Sequence, residues 1–472
     1  GRFMQKRIIF SPVTRLSGLL SIEVFLDRNR VVDANVSSTM FRGFEWIMRN
    51  RHITDAVYLT QRVCGICSLA HGAVAGYLVD AIYDNDINEN AQYLRNIMLG
   101  ADFLQNHIRH FYLFSIPDFV KMPERPPFLG QNLTDARLNK RDNEALVRHY
   151  FDSIKASQES HQILSLFGGK APHQHSFVHG GVSVPVTSDN VNQALALIQS
   201  IKEFIISRMI PDTQLISRTY NDYYNIGVTP GRLLSFGLFK FGLKNQNNLW
   251  PAGVLEDGDL LGPKLELISE DISHSWFVKG DDGNAYEEQI KPNPYKPGAY
   301  TWVKSVKYDG KSFQGGPLAR MILLGRYRGG TSTMDRIYAR SLEAFYISQL
   351  MEEWLYKLKP GPAPINQKTE PVVTEAAAIT DAMKGPLLHR TQIENEQIEK
   401  YNIITPTMWN FSPKDDSGQL GPAEDALIGT VIPKPNMLFA VLGRIVRSFD
   451  PCLSCATHVI DCSGNVIGEL KI

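Results

Sequence analysis

Four of the five cysteines in this chain stand in two Cys-x-x-Cys pairs near its two ends. Cys64 and Cys67 lie in Arg62-Val63-Cys64-Gly65-Ile66-Cys67, and Cys452 and Cys455 in Asp450-Pro451-Cys452-Leu453-Ser454-Cys455. Thiolates are soft donors, so four of them brought together suit zinc, an iron-sulfur centre or another thiophilic metal. Spacing alone leaves these readings open, beside that of unrelated thiols. Zinc knuckles usually keep their pairs close in sequence. Here almost the whole chain lies between them, so closing the loop needs a large preformed core. Both ends are therefore expected to meet inside one domain.

The elements that must position these cysteines are mostly helical. Val191, Leu195, Ile198, Ile201 and Ile205 recur at three and four residues, and Leu342, Tyr346, Leu350, Trp354 and Leu358 recur at four, as a buried helix stripe requires. Leu94 to Phe114 and Asn143 to Phe167 follow the same pattern, the second stopping at Gly168-Gly169. These four helices predict a central long-helix bundle in a mainly α (α+β) fold with peripheral β-hairpins and sheets. Leu20 to Leu26 and Val31 to Ser37, joined by Asp27-Arg28-Asn29, read as a hairpin. From 243 to 300 the chain turns to Asn, Gly, Pro and Asp with short apolar runs, including the turn Asp281-Asp282-Gly283-Asn284, and reads as an irregular or β-rich excursion. Pro360-Gly361-Pro362-Ala363-Pro364 breaks the chain after the last long helix. No internal repeat interrupts a single domain over 1–472.

Composition narrows the function classes. With 472 residues, 43% of them hydrophobic, the chain can bury a large core. Lys+Arg and Asp+Glu are both 49, so no net field favours nucleic acid as a partner. No run of eighteen apolar residues is present, and Gly1 to Arg7 lacks the features of a secretory signal, so the chain is expected neither to span a membrane nor to export itself. His107 and His110, and the group His173, His175 and His179, are read as packed, hydrogen-bonded histidines rather than a further metal centre.

The flanks of the cysteines carry more information than their spacing. Arg62 to Cys67 followed by His71, together with Ser448-Phe449-Asp450-Pro451-Cys452-Leu453-Ser454-Cys455-Ala456-Thr457-His458, resembles the paired signatures of the large subunit of nickel-iron hydrogenases. Phe41-Arg42-Gly43-Phe44-Glu45, Gly168 to His173, Gly316-Pro317-Leu318-Ala319-Arg320-Met321 and Pro406-Thr407-Met408-Trp409-Asn410 follow in family order, so the resemblance covers nearly the whole chain. It is closest to the membrane-bound uptake class. The resemblance implies that Cys64 and Cys452 bind nickel alone, while Cys67 and Cys455 bridge nickel to an iron carrying carbon monoxide and cyanide. It implies that Cys452 is the first base when dihydrogen splits, and that Thr407 and Pro406 serve the iron ligands. A magnesium or iron ion is expected on Glu45, His458 and the backbone carbonyl near Ile403. Electrons would leave through iron-sulfur clusters in a partner small subunit, because this chain has no further cysteine cluster.

Several positions depart from the family pattern. Arg15-Leu16-Ser17-Gly18-Leu19 stands where Arg-Ile-Glu-Gly-His is usual, so Ser17 replaces a proton-storing glutamate. Asp381-Ala382-Met383-Lys384-Gly385 replaces Glu-Ala-Pro-Arg-Gly. Desolvation lowers the pKa of a buried lysine, so Lys384 is expected to be a usable base near nickel. Asn106 stands in place of an aspartate, whereas Asp450 is retained. Residues 459–472 resemble the extension that a specific endopeptidase removes after maturation proteins insert nickel. The expected setting is association with a membrane through partner subunits, with a membrane cytochrome as a further partner and a periplasmic or cytoplasmic location. The rivals are a hydrogen sensor, a non-catalytic scaffold related to a subunit of respiratory complex I, and a structural zinc protein. The intact cysteines weigh against the scaffold.

Overall fold

The computed structural model describes residues 6–39, 44–126, 128, 133–279 and 290–452. Cys455, His458, the extension 459–472, residues 41–43 and the turn 281–284 lie outside the described residues.

The bundle forms around Glu89–Arg109, a helix whose 21 residues are buried along nearly their whole length. Lys140–Gly168 and Thr333–Lys357 pack along it, and Ser188–Phe204 packs against both. Local chemistry fixes their ends. Asn88, Asn139, Thr187 and Ser332 each accept a hydrogen bond from a first-turn amide. Gly169, at φ +82°, stops Lys140–Gly168 where the paired glycines predict. The apolar runs that reach Phe114 and Ile205 hold, but both helices change winding there. His110–Ser115 and Ile205–Met209 are π-helical turns, and such turns slip the buried face by part of a turn.

A fifth long helix, Ser68–Tyr83, starts directly after Cys67 and escapes the periodicity reading. Alanine, glycine and serine alternate with leucine and valine on all its faces, and it is buried on every side except at Ala81, so no polar stripe marks it.

The hairpin predicted near the start is present as Leu20–Asp27 and Arg30–Ser38, with Lys6–Phe10 as a third antiparallel strand. The excursion is β-rich: Asn247–Glu256 pairs with Leu233–Phe241 and Asp259–Leu261, and Ile268–Asp271 pairs with Ser305–Tyr308. A third three-stranded sheet, Glu375–Ala382, Gly385–Glu394 and Gln397–Ile404, was not foreseen. Its first turn pairs Ala382 with Gly385 and leaves Met383 and Lys384 at the tip. Two apolar clusters fill the interior. One joins the helices and contains Cys64, Cys67 and Cys452; the other joins the first hairpin to the Leu438–Arg447 helix and contains Phe449. The segment from Phe449 to Cys452 thus crosses from one core to the other.

Candidate metal centre

Two turns that follow buried helices deliver the cysteines. Cys64, Cys67 and Cys452 are 2%, 3% and 1% exposed, and their sulfurs all lie within 4.8 Å of one another. Cys64 Sγ is 3.3 Å from Cys452 Sγ across 388 positions of sequence. The amides of Ile66 and Cys67 donate to Cys64 Sγ, at 3.3 and 3.2 Å, and orient that sulfur. Buried soft donors in this arrangement fit a thiophilic metal.

Four arginines hold the arm that presents Cys452. Arg447 donates to Asp118 Oδ1 (2.6 Å) and to the carbonyl of Thr14 (2.8 Å), and Arg444 donates twice to the carbonyl of Asp118. Arg336 and Arg340 bind the hydroxyl and the carbonyl of Ser448. His110 Nε2 donates to the carbonyl of Arg447 at 2.8 Å. With the N-terminal flank fixed at Arg447 and Ser448, the approach to Cys452 is held in place. Its amide donates to Thr407 Oγ1 at 3.0 Å, beside Pro406 at the start of the Pro406–Asn410 turn. Ser17 forms a parallel backbone bridge with Cys452.

Above the cysteines, Lys384 Nζ binds Asp450 Oδ1 and, at 3.3 Å, Asn106 Oδ1, while Asn106 Nδ2 donates to Asp450 Oδ2 at 2.8 Å. The three residues close a buried ring of one cation, one anion and one amide. The expected lowering of the Lys384 pKa does not occur. Burial does pull it down, but the charges of Asp450 and Cys452 outweigh burial and hold it above its ordinary value. Asp450 is buried too, yet His110, Lys384 and Arg340 hold its carboxyl far below the usual carboxylate range.

The tip that carries Lys384 is itself clamped. Arg320 donates to Glu343 (2.6 and 2.8 Å), to Asp381 (2.8 Å) and to the carbonyls of Ala382 and Met383 (2.9 and 2.6 Å). Glu343 also takes His107 Nε2 at 2.7 Å. His107 and His110 are thus engaged in packing contacts, and His179 meets Asn85 at 3.2 Å. Glu45 Oε1 accepts from the amide of Ile403 (3.0 Å) and from Asn402 Nδ2 (3.2 Å), which brings two of the residues expected around a second ion together. A surface cavity of about 530 Å³ lies beside them, bounded by Glu45, Arg390 and Tyr401 among others.

Comparison with known proteins bears directly on these residues. The sequence pattern described as "Nickel-dependent hydrogenase" matches residues 42–125, 128–330 and 326–458. The chain belongs to this family. It is 32% identical to the periplasmic [NiFeSe] hydrogenase large subunit of Desulfomicrobium baculatum, over 96% of this chain and 95% of that one. It is 27% identical to the hydrogenase-2 large chain of Escherichia coli K12, over 99% and 100%. The structure of the Ni-Fe-Se hydrogenase from D. vulgaris Hildenborough superposes with a TM-score of 0.90 at 32% identity, covering 96% of this chain and all of that one. The chain is accordingly a nickel-dependent hydrogenase large subunit, an oxidoreductase that activates dihydrogen at a nickel-iron centre with cysteine ligands and pairs with a small subunit.

Around this hydrogenase site the structure adds residues that sequence reasoning passed over. His71 Nδ1 meets His389 Nε2 at 3.1 Å, and His389 Nδ1 meets the hydroxyl of Tyr401 at 2.6 Å. His71 was legible as part of the first motif. His389 and Tyr401 occur in strands with no local signal. Arg320 was quoted within a family segment, but its clamp on the tip was not visible. Among the described residues no helix is long and apolar enough to cross a membrane.

Proposed function

We propose that this chain oxidises dihydrogen to protons and electrons, with nickel held by Cys64, Cys67, Cys452 and Cys455. Cys67 and Cys455 would also hold an iron, which the resemblance gives carbon monoxide and cyanide, and the electrons would leave through iron-sulfur clusters of the small subunit. The observation that carries this reading is the meeting of three buried thiols from opposite ends of the chain. When bound, the metals supply a Lewis-acidic place for dihydrogen to polarise.

The protein's own groups do the rest. Cys452, held on its N-terminal flank and through its amide, takes the first proton on its sulfur. Asp450 and Lys384 lie over the cluster as a fixed ion pair, so Lys384 acts as a standing positive charge, and it must break that pair before it can serve as a base. The Thr407 oxygen accepts the Cys452 amide, so its hydroxyl proton would be available to a cyanide on the iron, with Pro406 beside it. Glu45, the Ile403 carbonyl and His458 hold a magnesium or iron ion. The chain works as one domain over 1–472 with an excursion at 243–300. Maturation proteins load it, an endopeptidase removes 459–472, and a membrane cytochrome at the periplasmic or cytoplasmic face takes the electrons onward.

The test is to purify the complex after anaerobic co-expression with the small subunit and maturation proteins, and to measure nickel and hydrogen uptake. Wild type should carry about one nickel and reduce a dye with dihydrogen, whereas Cys64→Ser and Cys452→Ser should lose both. A fully loaded Cys64→Ser complex would overturn the ligand assignment. Turnover far below that of an uptake enzyme, with 459–472 retained, would favour the hydrogen sensor.

A further inference from the structure

Ser17 cannot store the proton that a glutamate would hold beside Cys452, so protons need another way out. One helix face offers it. Asp102, 3% exposed in Glu89–Arg109, accepts from Gln105 Nε2 at 3.0 Å through Oδ1, and its Oδ2 has no hydrogen-bond partner among the described residues. Gln105 Nε2 also donates to the carbonyl of Ile66, between the first two cysteines, at 3.3 Å, and Gln105 Oε1 is itself unpartnered. Arg109, two turns beyond Asp102 and half-buried, has an unpartnered Nη2. Asp102, Gln105, Asn106 and Arg109 follow one another at helical spacing, so they share one face. Gln105 meets the cysteine turn in the middle of that face, with Asp102 one turn before it, and Arg109, whose charge reaches Asp102, carries the face to a partly exposed edge.

A carboxylate sealed in a core with half its acceptors empty is costly, and ion pairing does not account for it here. Among the described residues no cation hydrogen-bonds or ion-pairs with Asp102. Burial pushes its carboxyl up to about 7, against the hydrogen bond of Gln105 and the charges of Arg109 and Lys384, which act to lower it. The neighbouring helices add His161 beside Arg109, the buried Glu159, and Arg340 and Glu343, of which Glu343 is taken up by Arg320 and His107.

We propose that Asp102 is the proton-relay residue between the cysteine cluster and solvent; this rests on the hydrogenase reading above. When the H–H bond breaks, its two electrons pass to the partner's iron-sulfur clusters and each proton in turn is taken up by a cysteine thiolate. The S–H bond then breaks as an O–H bond forms on Asp102 Oδ2, which restores the thiolate. The acid gives that proton to water at the Arg109 edge and is a carboxylate again.

The test compares wild type, Asp102→Asn and Asp102→Glu as matured complexes with the small subunit. Infrared spectra are recorded as a function of pH in the carboxylic C=O region and in the region of metal-bound carbon monoxide and cyanide. Wild type should show a protonated carboxyl band that shifts in D2O and fades with a midpoint near 7. That band should be missing in Asp102→Asn, with the diatomic bands intact and hydrogen oxidation lowered on the order of 10- to 100-fold. Asp102→Glu should restore both band and turnover in large part. Wild-type turnover and an unchanged carboxyl titration in Asp102→Asn would overturn the relay and leave the hydrogenase reading standing. If Asp102→Asn fails to mature, Asp102→Glu decides: a carboxyl titration between about pH 5 and 9 identical in band position to that of wild type, as the buried Glu424 alone would give, overturns the relay. Absence of the diatomic bands from wild type itself would overturn both.

Discussion

Lys384 shows how burial and pairing compete at one side chain. Burial favours its neutral form, but Asp450 and Cys452 favour the charged form, and the contact with Asp450 settles the contest. The pair keeps its charge at any pH in the working range, so Lys384→Arg should retain turnover within about threefold and leave the pH profile of kcat unmoved, since an arginine cannot act as a base but holds the same charge. Loss of activity in Lys384→Arg with diatomic infrared bands intact would mark the lysine as the working base. Lys384→Met should instead strand the Asp450 carboxylate and cost about 3–5 kcal/mol, read by thermal unfolding of the complex. The sequence announced Lys384 and Asp450 as neighbours of the metals through their motifs. It did not announce the pKa direction, which depends on an ion pair 66 positions long.

The hairpin that presents Lys384 depends on close backbone approach. Gly385 has φ +144°, and a Cβ there would lie 3.2 Å from the backbone of Gly315 and Gly316 and 3.3 Å from Pro406. Gly385→Ala should therefore lower stability by about 1–3 kcal/mol and move the tip. Calorimetry of the apo complex would read the stability, and infrared band positions the displacement. Arg320 clamps the same tip, and Arg320→Met would leave Glu343 and Asp381 buried with a lost partner, so this variant should fail to accumulate as folded protein. Elements were legible where one face had to be apolar and another polar. The stripe of Ser188–Phe204 is of that kind, whereas in Thr333–Lys357 Leu342, Tyr346 and Leu350 of the expected stripe are only half-buried and the buried face runs through Glu343, Ala344, Ile347 and Met351. Ser68–Tyr83 is buried all round, and Glu375–Ala382 is built on alanines with weak strand preference, so neither left a periodic trace. The site was legible where residue type itself carries chemistry, as with the cysteines, and illegible where distant side chains meet, as with His71, His389 and Tyr401.

At the scale of the whole molecule, buried acids pull the pH dependence of stability in two directions. Burial raises Glu343, but Arg320 and His107 outweigh it and bring the carboxyl down to about 2. Its stabilisation is complete above the unfolded value near 4.5 and is lost as pH falls towards 2. Burial raises Asp102 and Glu424 to about 7. These acids bind more protons folded than unfolded, so they favour the fold below their unfolded values and lose that advantage as pH rises from about 4 to 7. Stability measured by denaturant unfolding should fall below about pH 4 and decline again as pH rises from about 4 to 7. In Glu343→Gln the acid limb should flatten on a lower baseline.

The central claim is that the cysteine pairs from the two ends of the chain hold a nickel-iron centre with diatomic ligands on iron. An infrared spectrum of the complex, matured anaerobically with its small subunit, tests it most directly. The account predicts sharp bands of metal-bound carbon monoxide and cyanide that vanish in Cys452→Ser. A matured, nickel-loaded complex without those bands would contradict it.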